Sequence, residues 1–143
     1  MAEETNQLRV RLVTPERTLF EHAVAAVELP AKSGYMEVLY GAAPLVAELG
    51  AGDVTLHGGP EGPESVSRYN VSWGFAEVLP DRVTILASDA LKPEEIDVPR
   101  AQQQLERGHR QWSEAGASEE TYAEALHVIA EAEAKIASAA EKH

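Results

Sequence analysis

Near Pro93 the spacing of apolar residues changes from two to between three and four, so no single regular architecture holds the whole chain. Upstream, Leu8, Val10 and Leu12 alternate with Arg9 and Arg11, which puts the apolar side chains on one face of a strand. Short runs follow at Thr18 to Phe20, Ala23 to Leu29, Tyr35 to Leu39, Leu45 to Leu49, Val54 to His57, Val66 to Val71, Phe75 to Leu79 and Val83 to Ala87. Turn formers separate them, among them Thr14-Pro15, Ser33-Gly34, Gly41, Gly50-Ala51-Gly52, Gly58-Gly59-Pro60 and Pro80-Asp81. Many short strands at close spacing predict an antiparallel β-sandwich or barrel over residues 1–90. In the last run Val83, Ile85 and Ala87 share one face, but Leu86 is apolar on the other, so this strand is expected to be covered on both faces.

Downstream, residues 91–143 predict a two-helix antiparallel hairpin, which makes the fold class α+β, mainly β and then α. Asp97 and Pro99 mark the start of the first helix, Gly116 suits its end, and Ser118 followed by Glu119 and Glu120 opens the second. Tyr122, Leu126, Ile129, Glu133 and Ile136 recur at helical spacing on the second segment, which is dense in alanine, the best helix former. The segment Ser88 to Pro93 is expected to join the two halves. Such short helices are marginal alone in water, so the hairpin must dock on something, and a docking preference that can change is a switch.

Composition narrows the function. The chain has 143 residues, 44% of them hydrophobic, enough for a packed core. Its net charge of -12 argues against nucleic acid and against direct adhesion to anionic lipid, both of which need clustered Lys and Arg. With no cysteine there is no disulfide, thiolate nucleophile or Cys-based zinc site. The polar start Met1 to Asn6 lacks the basic and apolar regions of a signal peptide, and no run reaches the ~20 apolar residues of a membrane span.

No catalytic or metal motif emerges. His22, His57, His109, His127 and His143 lack a ligand spacing, and Gly58 to Pro63 lacks the Lys-Ser/Thr ending of a phosphate loop. Trp73 beside Gly74 reads either as a core aromatic at a bulge or as an exposed partner anchor.

Three ordered segments resemble one family. Gly34-Tyr35-Met36-Glu37-Val38-Leu39-Tyr40-Gly41-Ala42-Ala43-Pro44-Leu45 is similar to G-x-x-G-x-L-P-G-H-A-P-L; Val71-Ser72-Trp73-Gly74-Phe75-Ala76-Glu77-Val78 is similar to V-S-G-G-F-x-E-V; and Ile96-Asp97-Val98-Pro99-Arg100-Ala101 is similar to I/L-D-x-x-R-A. In this order they resemble the ε subunit of bacterial F-type ATP synthases, called δ in mitochondria. The resemblance implies a non-catalytic rotor subunit on the cytoplasmic face of the bacterial inner membrane, attached only through the complex. Its sandwich would grip the γ subunit and the c-ring to couple proton flow to ATP synthesis. The hairpin would meet the catalytic α and β subunits and inhibit hydrolysis.

The implied rotor contact comprises Gly34, Tyr35, Met36, Glu37, Tyr40, Gly41, Ala42 and Trp73. Here Glu37, Tyr40, Ala42 and Trp73 depart from the family pattern, and the two aromatics add contact area. The resemblance also implies ATP as a regulatory ligand, with Ile96, Asp97, Arg100, Ala101 and Arg107 at its site and no cofactor required. Asp97 reads equally as a helix cap. Six acids (Glu119, Glu120, Glu124, Glu131, Glu133, Glu141) against two bases (Lys135, Lys142) make the second helix a poor phosphate ligand and a weak inhibitor of an acidic partner loop. The competing reading is a free-standing β-sandwich protein-binding module with a helical oligomerisation hairpin.

Overall fold

The computed structural model describes residues 7–116 and 118–140. The Met1 to Asn6 segment and the Glu141, Lys142 and His143 positions read above lie outside the described residues. The chain divides into two compact units, Met1–Leu91 and Lys92–His143.

The first unit is a seven-stranded sheet of β1 (Leu8–Val13), β2 (Thr18–Val24), β3 (Ala26–Ala31), β4 (Gly34–Leu39), β5 (Leu45–His57), β6 (Val66–Leu79) and β7 (Arg82–Leu91). The strand order is β2-β1-β7-β6-β5-β3-β4. β1 pairs with β7 in parallel and the remaining pairs are antiparallel, so the sheet is mixed rather than purely antiparallel. The sheet also folds over on itself. Phe20 on β2 and Tyr69 on β6 stand three places apart in strand order, about 14 Å in a flat sheet. Their ring centroids are 6.3 Å apart, edge to face, and the Tyr69 hydroxyl donates to the Leu19 carbonyl at 3.3 Å. The space so enclosed is filled by Leu8, Val10, Leu12, Leu29, Leu49, Leu56, Val78 and Ile85, all buried.

Two pairs of expected strands are each one long, bent strand. The Gly50-Ala51-Gly52 stretch is a bulge in β5, where the register slips between Glu28 and Ala31 of β3. A Cβ at Gly52 would strike Pro30 Cβ at 2.8 Å and the Tyr35 hydroxyl, so only glycine lets the strands close there. The bend is tied down by the Tyr35 hydroxyl, which accepts from the Asp53 N–H at 3.0 Å. The buried Asn70 amide also donates to Asp53 Oδ1 at 3.2 Å. In β6 the expected break at Trp73-Gly74 is bridged by positive φ at both residues, 60° and 130°.

Two further expectations change. β7 continues to Leu91, with Val71 opposite Ala90 and Asn70 opposite Leu91, so pairing extends into the stretch expected to be the join. Val83, Ile85 and Ala87 face the core as expected, but Leu86 is exposed. The strand is covered on one face only.

The second unit begins with a 3-10 turn at Pro93–Glu95, then α1 (Val98–Ser113) and α2 (Glu119–Ala140). Both predicted caps form: Asp97 Oδ1 accepts from the Arg100 N–H at 3.2 Å, and Ser118 Oγ from the Thr121 N–H at 3.2 Å. The helices approach closely at Gly108, where a Cβ would lie 2.8 Å from Ile129 Cγ1 and 3.2 Å from Val128 Cγ1. Small residues hold the buried positions, Ala101 and Gly108 on α1 and Ala125 and Ala132 on α2. Tyr122 and Leu126, expected in the buried stripe, are exposed instead.

Candidate functional site

The segment from Leu39 to Leu45 leaves edge strand β4 and crosses to the start of β5. It is held by one short bond, in which the Gly41 N–H donates to the Pro80 carbonyl at 2.7 Å. The positive φ of Gly41, 92°, directs the chain into this bond. Ala42 packs against the core and anchors the segment from beneath. Leu39 and Tyr40, 53% and 48% exposed, and Leu45 at 41%, therefore stand outward on a fixed loop. Large exposed apolar side chains on an anchored loop suit contact with another protein.

The sequence-predicted contact residues fall in separate places. Tyr40, Gly41 and Ala42 sit together in this crossing beside the Pro80-Asp81 turn. Gly34, Tyr35, Met36 and Glu37 lie on β4, with Tyr35 committed by its hydroxyl to the β5 bend and Met36 packed against the core. Trp73 belongs to the β6 bend and is partly buried, between the two readings given for it. Leu39 and Leu45 lie within the first motif, whereas the exposure of Val46, Phe75 and Leu86 was not expected from the sequence. An apolar residue at an outward strand position carries the same local pattern as one covered on both faces.

The five residues read as an ATP site lie at the start and along one side of α1. Ile96 and Ala101 are buried, and the Asp97 carboxylate caps the helix. Arg100 and Arg107 are exposed, seven residues and so ~10 Å apart on nearly the same helix face. Lys135, the basic residue of α2 within its described span, lies 3.3 Å from Glu131. A groove of ≈ 500 Å³ on the hairpin is lined by Gln111, Ala123, Glu124, His127 and Val128, none of them among those five. Among the described residues no group of three or more His, Asp or Glu is placed to hold a metal ion. No helix there is long and apolar enough to cross a membrane.

A bent, mixed β-sandwich followed by a capped, alanine-rich helical hairpin, with apolar side chains exposed at a fixed loop, defines a two-part sandwich-and-hairpin protein. Residues 7–93 match the family described as "ATP synthase, Delta/Epsilon chain, beta-sandwich domain". An ATP synthase epsilon chain from Solibacter usitatus is 40% identical over 136 residues, covering 94% of this chain and 97% of that one. Another from Koribacter versatilis is 41% identical over 107 residues, 73% of this chain and 71% of that one. The chain belongs to the ATP synthase delta/epsilon family. A chain in the Euglena gracilis mitochondrial ATP synthase structure (OSCP/F1/c-ring) has the same fold, with a TM-score of 0.77 at 24% identity, covering 99% of this chain and 85% of that one. A chain in the Tetrahymena thermophila central stalk and c-ring structure has a TM-score of 0.69 at 10% identity, covering 96% of this chain and 99% of that one.

Proposed function

We propose that this family member is the non-catalytic rotor subunit of a proton-translocating ATP synthase, its sandwich binding the γ subunit and the c-ring. The observation that supports this reading is the anchored crossing at 39–45, which presents Leu39, Tyr40 and Leu45 to a partner. A rotor part transmits torque, so it needs a stiff contact. A loop fixed at Gly41 and pinned by Ala42 offers one. In this reading residues 1–90 form the rotor-binding domain and residues 91–143 the regulatory hairpin, which faces the catalytic α and β subunits. The protein sits peripherally at the cytoplasmic face of the membrane, held there through the complex.

The role requires no cofactor. ATP is its candidate regulatory ligand, with Arg100 and Arg107 of α1 as the candidate cations for its phosphates. Titration of ATP against the chain and against an Arg100→Ala/Arg107→Ala variant tests that assignment: equal heats from both sink it.

Calorimetric titration of the chain into the isolated cognate γ subunit tests the rotor reading. Tight one-to-one binding is expected. No binding, with both proteins folded, overturns it in favour of a free-standing binding module.

A further inference from the structure

β4 stands last in the strand order and pairs with β3 alone, so only one of its edges is tied into the sheet. A short edge strand held on one side can twist or peel unless something else fixes it. Its partner is itself interrupted. β3 pairs with β5 where Glu28 stands opposite Thr55 and again where Ala31 stands opposite Leu49. Between these rungs residues 50–54 of β5 stand against Leu29 and Pro30, out of regular pairing. Pro30 has no N–H to donate. Tyr35 on β4 lies directly opposite Pro30. Its hydroxyl reaches past β3 to β5 and accepts from the Asp53 N–H at 3.0 Å. A side chain thus satisfies a backbone donor where the ladder is interrupted.

The bond is made to a fixed part of the sheet. Asp53 Oδ1 accepts from the buried Asn70 amide at 3.2 Å, and Oδ2 lies 3.7 Å from Arg68 Nε. Tyr35 itself is 64% exposed, so its ring gains little from burial and its hydroxyl is what it contributes to the fold. Tyr35, Glu37 and Leu39 alternate onto one face of β4, and Leu39 lies four residues beyond Tyr35, ~13 Å along an extended strand. A strand fixed at Tyr35 cannot turn about its own axis without bending against that bond, so the outward direction of Leu39 is set from the far end. At the near end the Gly41 N–H donates to the Pro80 carbonyl at 2.7 Å. The strand and the start of the crossing are therefore held at two points besides β3, one on β5 and one on the turn between β6 and β7.

We propose that Tyr35 is a positioning residue: through the Asp53 N–H it braces β4, so that Leu39 and Tyr40 meet their partner in one orientation. The inference rests on the rotor reading, under which that partner is the assembly of γ subunit and c-ring. It separates Tyr35 from the contact residues with which the sequence grouped it. The hydroxyl acts on the sheet, and Leu39 and Tyr40 act on the partner. A fluctuating edge strand has to be ordered each time the contact forms, and a brace removes that cost beforehand.

The test measures dissociation of the full chain from the cognate assembly of γ subunit and c-ring, beside amide exchange of the free chain. Tyr35→Phe removes the acceptor and keeps the ring. It is expected to speed exchange at the Asp53 and Gly41 N–H groups with the sandwich still folded. Dissociation is expected to quicken roughly fivefold, the factor that one hydrogen bond carries. In a Leu39→Ala/Tyr40→Ala background the same substitution is expected to add almost nothing, because the brace acts through those two side chains. Tyr35→Ala is expected to match Tyr35→Phe. Three results overturn the brace and leave the rotor reading standing, since in each the unsubstituted chain binds. One is Tyr35→Phe exchanging and dissociating like the unsubstituted chain. Another is an undiminished effect in the Leu39→Ala/Tyr40→Ala background. The third is a loss confined to Tyr35→Ala, which would mean that the ring itself touches the partner. If the unsubstituted chain does not bind the assembly, the rotor reading falls and the brace falls with it.

Discussion

Replacing Gly74 by alanine separates two costs that glycine avoids at the β6 bend. The first is conformational: φ is 130°, a region that side-chain-bearing residues rarely enter. The second is steric. A Cβ there would run into the Leu86 carbonyl oxygen and lie 3.0 Å from Ala87 Cα, both backbone atoms of the paired strand β7. Backbone cannot rotate aside as a side-chain tip can, so β6 and β7 must part locally. Gly62 supplies the control, with φ at 123° and nothing within 4 Å of an added Cβ. Gly62→Ala is expected to cost only the conformational part, about 1 to 2 kcal/mol. Gly74→Ala is expected to cost about 3 to 5 kcal/mol, a large share of the ~5–15 kcal/mol that holds a domain together. For a unit of this size the difference between the two is a fall in Tm of roughly 10 °C or more. Urea unfolding followed by Trp73 fluorescence in a Trp112→Phe background reports on the sandwich. Equal midpoints for the two variants would show that the strands yield freely at this point and refute the steric reasoning.

Three further outcomes are expected. Asp97→Ala removes the acceptor of the Arg100 N–H and should lower helical-unit stability by about 1 kcal/mol, with Asp97→Asn restoring most of it, as read by thermal circular dichroism. Gly108→Val drives a branched side chain toward Ile129 and Val128 and should cost about 1 to 3 kcal/mol. Its signature is faster amide exchange along both helices, and unchanged exchange would mean that the close approach does not hold the hairpin. Deleting residues 92–143 should raise ATP hydrolysis by the assembled complex only slightly, because the described part of α2 carries Glu119, Glu120, Glu124, Glu131 and Glu133 against Lys135. Strong activation on deletion would show that an acidic hairpin inhibits well.

The elements were legible where their cause is local. Alternation in Leu8 to Val13 sets which side chains share a face, whatever the strand pairs with, and β1 buries Leu8, Val10 and Leu12 accordingly. Asp97 and Ser118 cap their helices because the donors they satisfy lie three residues away in the same segment. Glycine was ambiguous for the same reason that it was conspicuous. Gly50 to Gly52 and Gly74 mark places where the chain must depart from regular geometry, but a turn and a bulge look alike until the neighbouring strand is in place.

The site was half legible. The motif carrying Tyr40, Gly41 and Ala42 pointed to the crossing segment and also held Tyr35, whose hydroxyl holds the β5 bend, while a separate motif supplied Trp73, which sits at the β6 bend. The exposure of Phe75, Leu86 and Val46 was not legible, because an apolar residue at an outward strand position carries the same local pattern whether it is covered or not. Sequence alone thus determined two halves, their element types, their helix N-caps and the inward residues of β1 and β7, all consequences of pattern and bonding within a few residues. Only the tertiary structure decided that β1 runs parallel to β7, that β5 and β6 bend instead of breaking, and that Phe75 and Leu86 stand opposite each other and exposed. These depend on which distant segments pack together, and the free energy of that packing is not written in the spacing of neighbours along the chain.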